Sequence, residues 1–339
     1  MRVEELAITH PAALAGLTKI DGEAGPAEFL LWPHQREFIT EVVVNRRTIV
    51  LKARQLGFTW AMALVALWYV MRYPGRRVVC MSIGEREAQI LLERVRILYN
   101  YLPAAVRQAF PLGANDNTTR MDIAHPEEGT YSAILSIPSS GGRSETAHLL
   151  LLDEAAHWDN SDKRLAAILP TAADGAMQVV INSTANGMQG IYHRLYVGAP
   201  TNGWKPMFIR ADARPGRDEA WITNERSQLG ELGPQEYPMS EDEAFIASGL
   251  HAFDVPTLMW YRSEMCVDPV WKGVFDIDRV ANLVRPTENP RGWWWVWDWP
   301  EQGREYLVTA DACGGPGARD YASAVIVDIE SWEQVAALH

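Results

Sequence analysis

Residues 48–73 place the strongest constraint on how this chain folds. Thr48 to Leu51 is a short apolar run of β type, and Trp60 to Tyr73 is a long apolar helical pattern. Only Lys52-Ala53-Arg54-Gln55-Leu56-Gly57-Phe58-Thr59 lies between them. A strand, a short loop and a helix in that order aim the helix's free N–H groups and positive dipole end at the loop, which makes an anion site. The usual phosphate loop reads G-x-x-x-x-G-K-[ST]. Here its last three positions are Gly57, Phe58 and Thr59, so a phenylalanine fills the lysine slot. Lys52 stands five residues before Gly57, where the first glycine would be.

A second stretch, about a hundred residues on, completes the pattern. Leu149-Leu150-Leu151-Leu152-Asp153-Glu154 is an apolar strand ending in adjacent acids. Such a strand delivers one carboxylate to Mg²⁺ and a second to the attacking water. The two stretches together indicate nucleotide hydrolysis. Lys52 is expected to reach the β- and γ-phosphates of ATP, with Thr59 and Asp153 on Mg²⁺ and Glu154 orienting or deprotonating water. Gly57 would let the backbone approach the phosphates. Gln55 and Phe58 belong to the same loop, and a lysine placed at Phe58 is expected to make up partly for loss of Lys52. Arg54 has two open readings, a phosphate contact or an ion pair with an acid.

Elsewhere the pattern alternates. Leu31 to Ile39 reads as a helix with proline in its first turn, Arg76 to Ser82 as a strand, and Glu85 to Tyr101 as an amphipathic helix. Extended segments follow at 115–125 and 131–137, then a helix around Lys163 to Leu169 and a strand from Gln178 to Ser183. This order predicts an α/β fold, a P-loop NTPase with a doubly wound, mostly parallel sheet. Ligands of such sheets sit at the carboxyl ends of the strands, where both motifs would lie. Residues 1–27 read as a loose N-terminal arm and 28–250 as the ATPase domain, lid-like from about 201. The Trp- and Pro-rich stretch 251–302 reads as a linker or domain edge. Trp293, Trp295, Trp297 and Trp299 are expected on one face of a strand, buried between domains. A strand pair, Tyr306 to Ala310 and Tyr321 to Asp328, opens a further domain at 303–339.

These motifs resemble the large terminase subunit, the genome-packaging motor of tailed bacteriophages. Trp32-Pro33-His34-Gln35 is similar to that family's adenine-side glutamine motif, which makes Gln35 an ATP contact. Lys52 to Thr59 resembles its variant phosphate loop, and Asp153-Glu154 its Walker B pair. Ser183-Thr184-Ala185-Asn186-Gly187 resembles its coupling motif, and 235–249 the segment that closes the ATPase region. The resemblance makes Arg143 the candidate arginine finger, acting from the same or a neighbouring subunit. It makes Asp311 the first metal ligand of an RNase-H-like nuclease using Mg²⁺ or Mn²⁺. Two-metal hydrolysis needs several converging carboxylates, and Asp311 with Asp320 or Asp328 is not expected to supply them. The chain ends at His339 before further acids, so DNA cleavage by this chain is not expected, and the hairpin alone is expected to be poorly ordered. The partners implied are double-stranded DNA, a capsid portal, a small terminase subunit and further copies in a ring, with a monomer in solution. The location implied is the host cytoplasm.

Composition narrows the classes. No apolar run reaches the 18 residues of a membrane span, and the N-terminus has no secretion-signal pattern. Three scattered cysteines without a C-x-x-C pair argue against structural zinc. The net charge of −12 is unlike a protein that coats nucleic acid, so any DNA contact is expected to be local and transient. Two other readings share these residues: a nucleotide-regulated DNA nuclease, and a non-catalytic nucleotide-binding scaffold. Glu154 argues against the scaffold, because a pure binder needs no second acid. His157 and Trp158 read as packed structural residues.

Overall fold

The computed structural model describes residues 2–22, 25–139, 147–172, 177–247, 255–278, 283–311 and 323–338. The chain divides into two units, Met1–Met259 and Trp260–His339.

The first unit is built on an eight-stranded sheet. In chain order after a small hairpin (β1, Lys19–Gly22; β2, Gly25–Glu28), its strands are β3 (Arg47–Lys52), β4 (Arg77–Ser82), β5 (Leu112–Asn117), β6 (Arg120–His125), β7 (Thr130–Pro138), β8 (Leu149–Asp153), β9 (Gln178–Ser183) and β10 (Lys205–Ile209). Their order across the sheet is β10-β3-β9-β8-β4-β7-β6-β5. The pairs from β10 to β7 are parallel, and β6 and β5 add on antiparallel.

Strand periodicity sends alternate residues to opposite faces. Val50, Val78, Leu149, Leu151 and Val180 join one core, with residues of the helices Pro33–Val44, Phe58–Arg72 and Glu85–Asn100. Ile49, Leu51, Val79, Leu150, Leu152 and Ile181 join the other, with Leu165, Tyr192 and Tyr196 from Ser161–Ile168 and Gly190–Val197. The result is the expected helix–sheet–helix layering. The four leucines of β8 are all buried, each worth roughly 1.5–3 kcal/mol against exposure. A strand covered on both faces needs such an unbroken apolar run.

Three expectations change. Residues 1–27 do not form a loose arm. Val3–Ala7 and Pro11–Ala15 are helices, and Ala7, Leu14 and Ala15 enter the first core. The segment read as lid-like from about 201 begins with β10, which pairs with β3 inside the main sheet. The stretch read as linker contains strands of the second unit.

That second unit holds a six-stranded sheet of β11 (Trp271–Asp278), β12 (Leu283–Glu288), β13 (Trp294–Val296), β14 (Tyr306–Asp311), β15 (Ser323–Asp328) and β16 (Gln334–Leu338), in the order β12-β11-β13-β16-β15-β14. The expected hairpin is present, since β14 pairs antiparallel with β15, Asp311 opposite Ser323. It is not isolated, because β16 continues the meander. The tryptophans do not share one buried face. Trp293 and Trp299 are 60% and 41% exposed, while Trp294 and Trp299 both lie against the ring of Phe275.

Candidate functional site

Three strands carry the site residues. β3 ends at Lys52, β8 at Asp153 and β9 at Ser183. Because β9 lies between β3 and β8, the segment after Ser183 emerges between the phosphate loop and the acidic pair. Lys52 and Glu154 stand 102 residues apart in sequence, yet Lys52 Nζ donates to Glu154 Oε1 at 2.7 Å. The Lys52 side chain is only 7% exposed. The backbone N–H of Thr184 donates to the other Glu154 oxygen at 3.2 Å.

Electrostatics separate the two acids. Burial, followed by the neighbouring charge of Glu154, raises Asp153 to about 6. Burial also pushes the Glu154 carboxyl upward, but the charge and hydrogen bond of Lys52 and the Thr184 N–H outweigh it, so Glu154 sits below the usual carboxylate value. Glu154 is thus the better-stabilised anion of the pair. Its backbone is left-handed, with φ 50°, and Gln55 in the loop has φ 58°. Non-glycine residues in this region carry strain that tends to gather at functional sites.

The loop residues differ in how the fold places them. Gly57 has φ 69°, and a Cβ there would stand 2.5 Å from Gln35 Nε2, so glycine is required both for the turn and for the close approach. Thr59 lies in the first turn of Phe58–Arg72 and is partly exposed. The Phe58 side chain is a correction. It is 3% exposed, packs on His34 and Phe38, and cannot line a phosphate site. A lysine at that position would bury its charge in the core, so the rescue expected from the motif spacing is withdrawn. Arg54 forms an ion pair with Glu236, which favours the second of its two readings in this structure. Gln35 is 3% exposed. Its amide accepts from Trp32 N at 3.0 Å and donates to Gly57 O at 3.1 Å, tying the helix start to the loop.

The 183–187 segment is wired to the acidic strand. Ser183 Oγ accepts from Ala156 N at 3.2 Å, Asn186 Nδ2 donates to Ala156 O at 2.9 Å, and Thr184 Oγ1 lies 2.7 Å from His157 Nε2. Burial lowers the His157 pKa and favours a neutral ring. Trp158 donates to the Asp153 carbonyl at 2.9 Å. Both residues are packed as expected. Gly187 ends the segment with φ 81°. Arg143 and Asp320 lie outside the described residues. Asp311 closes β14. Asp328 is committed elsewhere, bonded to Arg304 Nη1 at 2.7 Å and to the N–H groups of Glu330 and Ser331. Among the described residues no group of three or more His, Cys, Asp or Glu could hold a metal ion.

Sequence reasoning missed several site residues. Asn182, opposite Asp153 in the β8–β9 register, donates to Asp153 Oδ1 at 2.7 Å and is fully buried. Its signal was available, as the one amide in the apolar run Val179-Val180-Ile181-Asn182. His34, Arg214, Arg217 and Glu236 brace the loop from outside, and their types carry no such mark.

No family model matches the chain, and no curated protein does. Solved structures do. The large terminase ATPase domain of Thermus phage P74-26 aligns with TM-score 0.51 and 20% identity, over 60% of this chain and 90% of that one. An arginine-to-alanine variant of the same domain gives 0.52 at 20% identity, over 60% and 91%. The large terminase of bacteriophage HK97 gives 0.49 at 14% identity, over 97% of this chain and 65% of that one. With its mostly parallel eight-stranded sheet and the motifs at its strand ends, the chain resembles the phage large terminases and has the fold of their ATPase domain.

Proposed function

We propose that this chain is an ATP-hydrolysing motor that moves double-stranded DNA, of the kind that packages a viral genome into a procapsid. One observation carries the reading: the 2.7 Å pair between Lys52 and Glu154, which unites two distant motifs at the carboxyl ends of β3 and β8, the strands on either side of β9. Fold likeness alone does not assign an activity. The support comes from the site.

Lys52 and the loop N–H groups receive the phosphates of ATP. An incoming γ-phosphate competes with Glu154 for Lys52 and frees a carboxylate to take a proton from water. The Asp153 carboxylate and Thr59 hydroxyl are hard oxygen donors, and they suit Mg²⁺, which is held by one or two carboxylates plus phosphate oxygens. Mg²⁺ bound there would neutralise charge developing on the phosphates. Thr184 contacts both Glu154 and His157, so a change at Glu154 passes directly to the 183–187 segment. Arg54, paired with Glu236, offers a second route from phosphate to the 233–236 helix. Gln35 on the adenine side and Arg143 as a finger in a ring of copies complete the proposed site. The portal, the small terminase subunit and DNA are the proposed partners. Among the described residues no helix is long and apolar enough to cross a membrane. The second unit, with Asp311 at the end of β14, is proposed to belong to a metal-dependent, RNase-H-like nuclease.

The test is the rate of Mg²⁺-dependent ATP hydrolysis with and without linear double-stranded DNA. A motor is expected to turn over several-fold faster with duplex present. Hydrolysis indifferent to DNA would remove the translocation reading, and absence of hydrolysis in both conditions would leave the scaffold reading.

A further inference from the structure

The phosphate loop is held from behind, carbonyl by carbonyl. Arg54 O accepts from Arg217 Nη1 at 2.9 Å, and Gln55 O from Arg214 Nη1 at 3.3 Å. Leu56 O lies 2.9 Å from His34 Nε2 and accepts from Gln35 Nε2 at 3.4 Å, and Gly57 O accepts from Gln35 Nε2 at 3.1 Å. Every peptide bond described is trans. In a planar trans peptide the N–H points opposite to its C=O. Four carbonyls fixed outward therefore aim the N–H groups of Gln55, Leu56, Gly57 and Phe58 the other way. Those of Gln55, Leu56 and Gly57 have no hydrogen-bond acceptor among the described residues. Successive N–H groups set by left-handed residues, here Gln55 and Gly57, make a concave anion nest.

Arg217 is the unusual member of this clamp. It is 6% exposed and forms no ion pair among the described residues. Its guanidinium lies 4.5 Å from the Trp221 ring centroid and 5.3 Å from that of Tyr237, and a second nitrogen donates to Gln55 Oε1 at 3.2 Å. Burying a cation without a carboxylate is costly. Two aromatic faces and a two-point grip on the loop offset that cost.

We infer that Arg217, assisted by Arg214, is a positioning residue that sets the loop's N–H face for a polyphosphate by holding its carbonyls from behind. The inference rests on the nucleotide reading for its ligand but not for its geometry. Arg217→Met keeps an unbranched apolar stem beside the two rings and removes every donor. Arg217→Lys keeps the charge and one point of attachment.

Two readouts on the full chain separate the possibilities, each with the melting temperature as a check on folding. Without added nucleotide, hydrogen exchange of the bonded loop amides, Ala53 on Ile209 O and Arg54 on Glu236 O, is expected to quicken about tenfold in Arg217→Met. The Kd for ATP, and for inorganic pyrophosphate as the bare anion, is expected to rise about tenfold, equivalent to about 1.4 kcal/mol, with Arg217→Lys intermediate. The turnover number at saturating ATP stays within a few-fold, because Lys52 and Glu154 are untouched. Unchanged loop exchange in Arg217→Met overturns the inference, whatever ATP does. Full recovery of binding in Arg217→Lys overturns it too, since charge alone would then suffice. If Arg217→Met fails to fold, Arg217→Lys decides alone, and loop exchange equal to wild type counts against the clamp. Loosened loop exchange in a protein whose wild type binds no ATP would uphold the clamp and sink the nucleotide reading.

Discussion

Glu154→Gln is expected to bind Mg²⁺·ATP at least as tightly as the wild type and to hydrolyse it on the order of 10²-fold more slowly or worse. Removing a general base costs about that much. The structure adds the sign of the binding effect. Glu154 is the carboxylate that holds Lys52, at 2.7 Å, so it competes with an incoming phosphate for that ammonium. A glutamine keeps one acceptor oxygen and puts an NH2 in place of the other, so it holds Lys52 or the Thr184 N–H but not both, and being neutral it gives way more easily. Equilibrium binding of a fluorescent ATP analogue and phosphate release measured on the same sample check both halves. Hydrolysis at the wild-type rate would show that Glu154 is not the base.

Lys52→Ala is expected to weaken nucleotide binding by about 10²-fold or more and also to destabilise the fold. Two losses combine at this position. The phosphates lose their one buried ammonium, and Glu154 loses the partner that holds its carboxyl below the usual value. Breaking a buried ion pair from one side costs about 3–5 kcal/mol. That figure is an upper bound here, because the Glu154 side chain is 33% exposed. Adding Phe58→Lys should not restore binding, since that side chain faces Phe38 and His34 in the core. Nucleotide titration and a denaturation midpoint for the single and double variants measure both effects. Wild-type affinity in Lys52→Ala would displace the phosphate-loop assignment by several residues.

The sheet of the first unit was legible because its strands carry their own signals. β3, β8 and β9 are built on apolar runs, as strands covered on both faces must be, and each ends in residues of the proposed site. The second unit was not. β12 is exposed along its whole length and contains Pro286, so neither alternation nor an apolar run marks it, and Trp- and Pro-rich composition read as linker. The first 15 residues misled for a related reason: two five-residue helices are too short for a 3.6-residue period to emerge. Within the proposed site, Lys52, Thr59, Asp153 and Glu154 were picked out because their types state their chemistry. Residues that act by where the fold carries them were missed. Nothing in Arg217 distinguishes a buried clamp from a solvated side chain until the segment between β10 and the Glu219–Leu229 helix brings it beside the loop. The rescue by a lysine at position 58 was misjudged because motif spacing fixes the backbone position and not the direction of the side chain, which here is buried against His34 and Phe38.

The 52–59 loop and the Asp153-Glu154 pair are proposed to form one nucleotide site, and a structure of this chain with Mg²⁺ and a non-hydrolysable ATP analogue would show whether they do. The β- and γ-phosphates are expected on the N–H groups of residues 55–58, with Lys52 Nζ on a phosphate oxygen and Glu154 released toward a water near the γ-phosphate. A nucleotide bound elsewhere, or bound in the loop with the Lys52–Glu154 pair intact, would contradict this proposal.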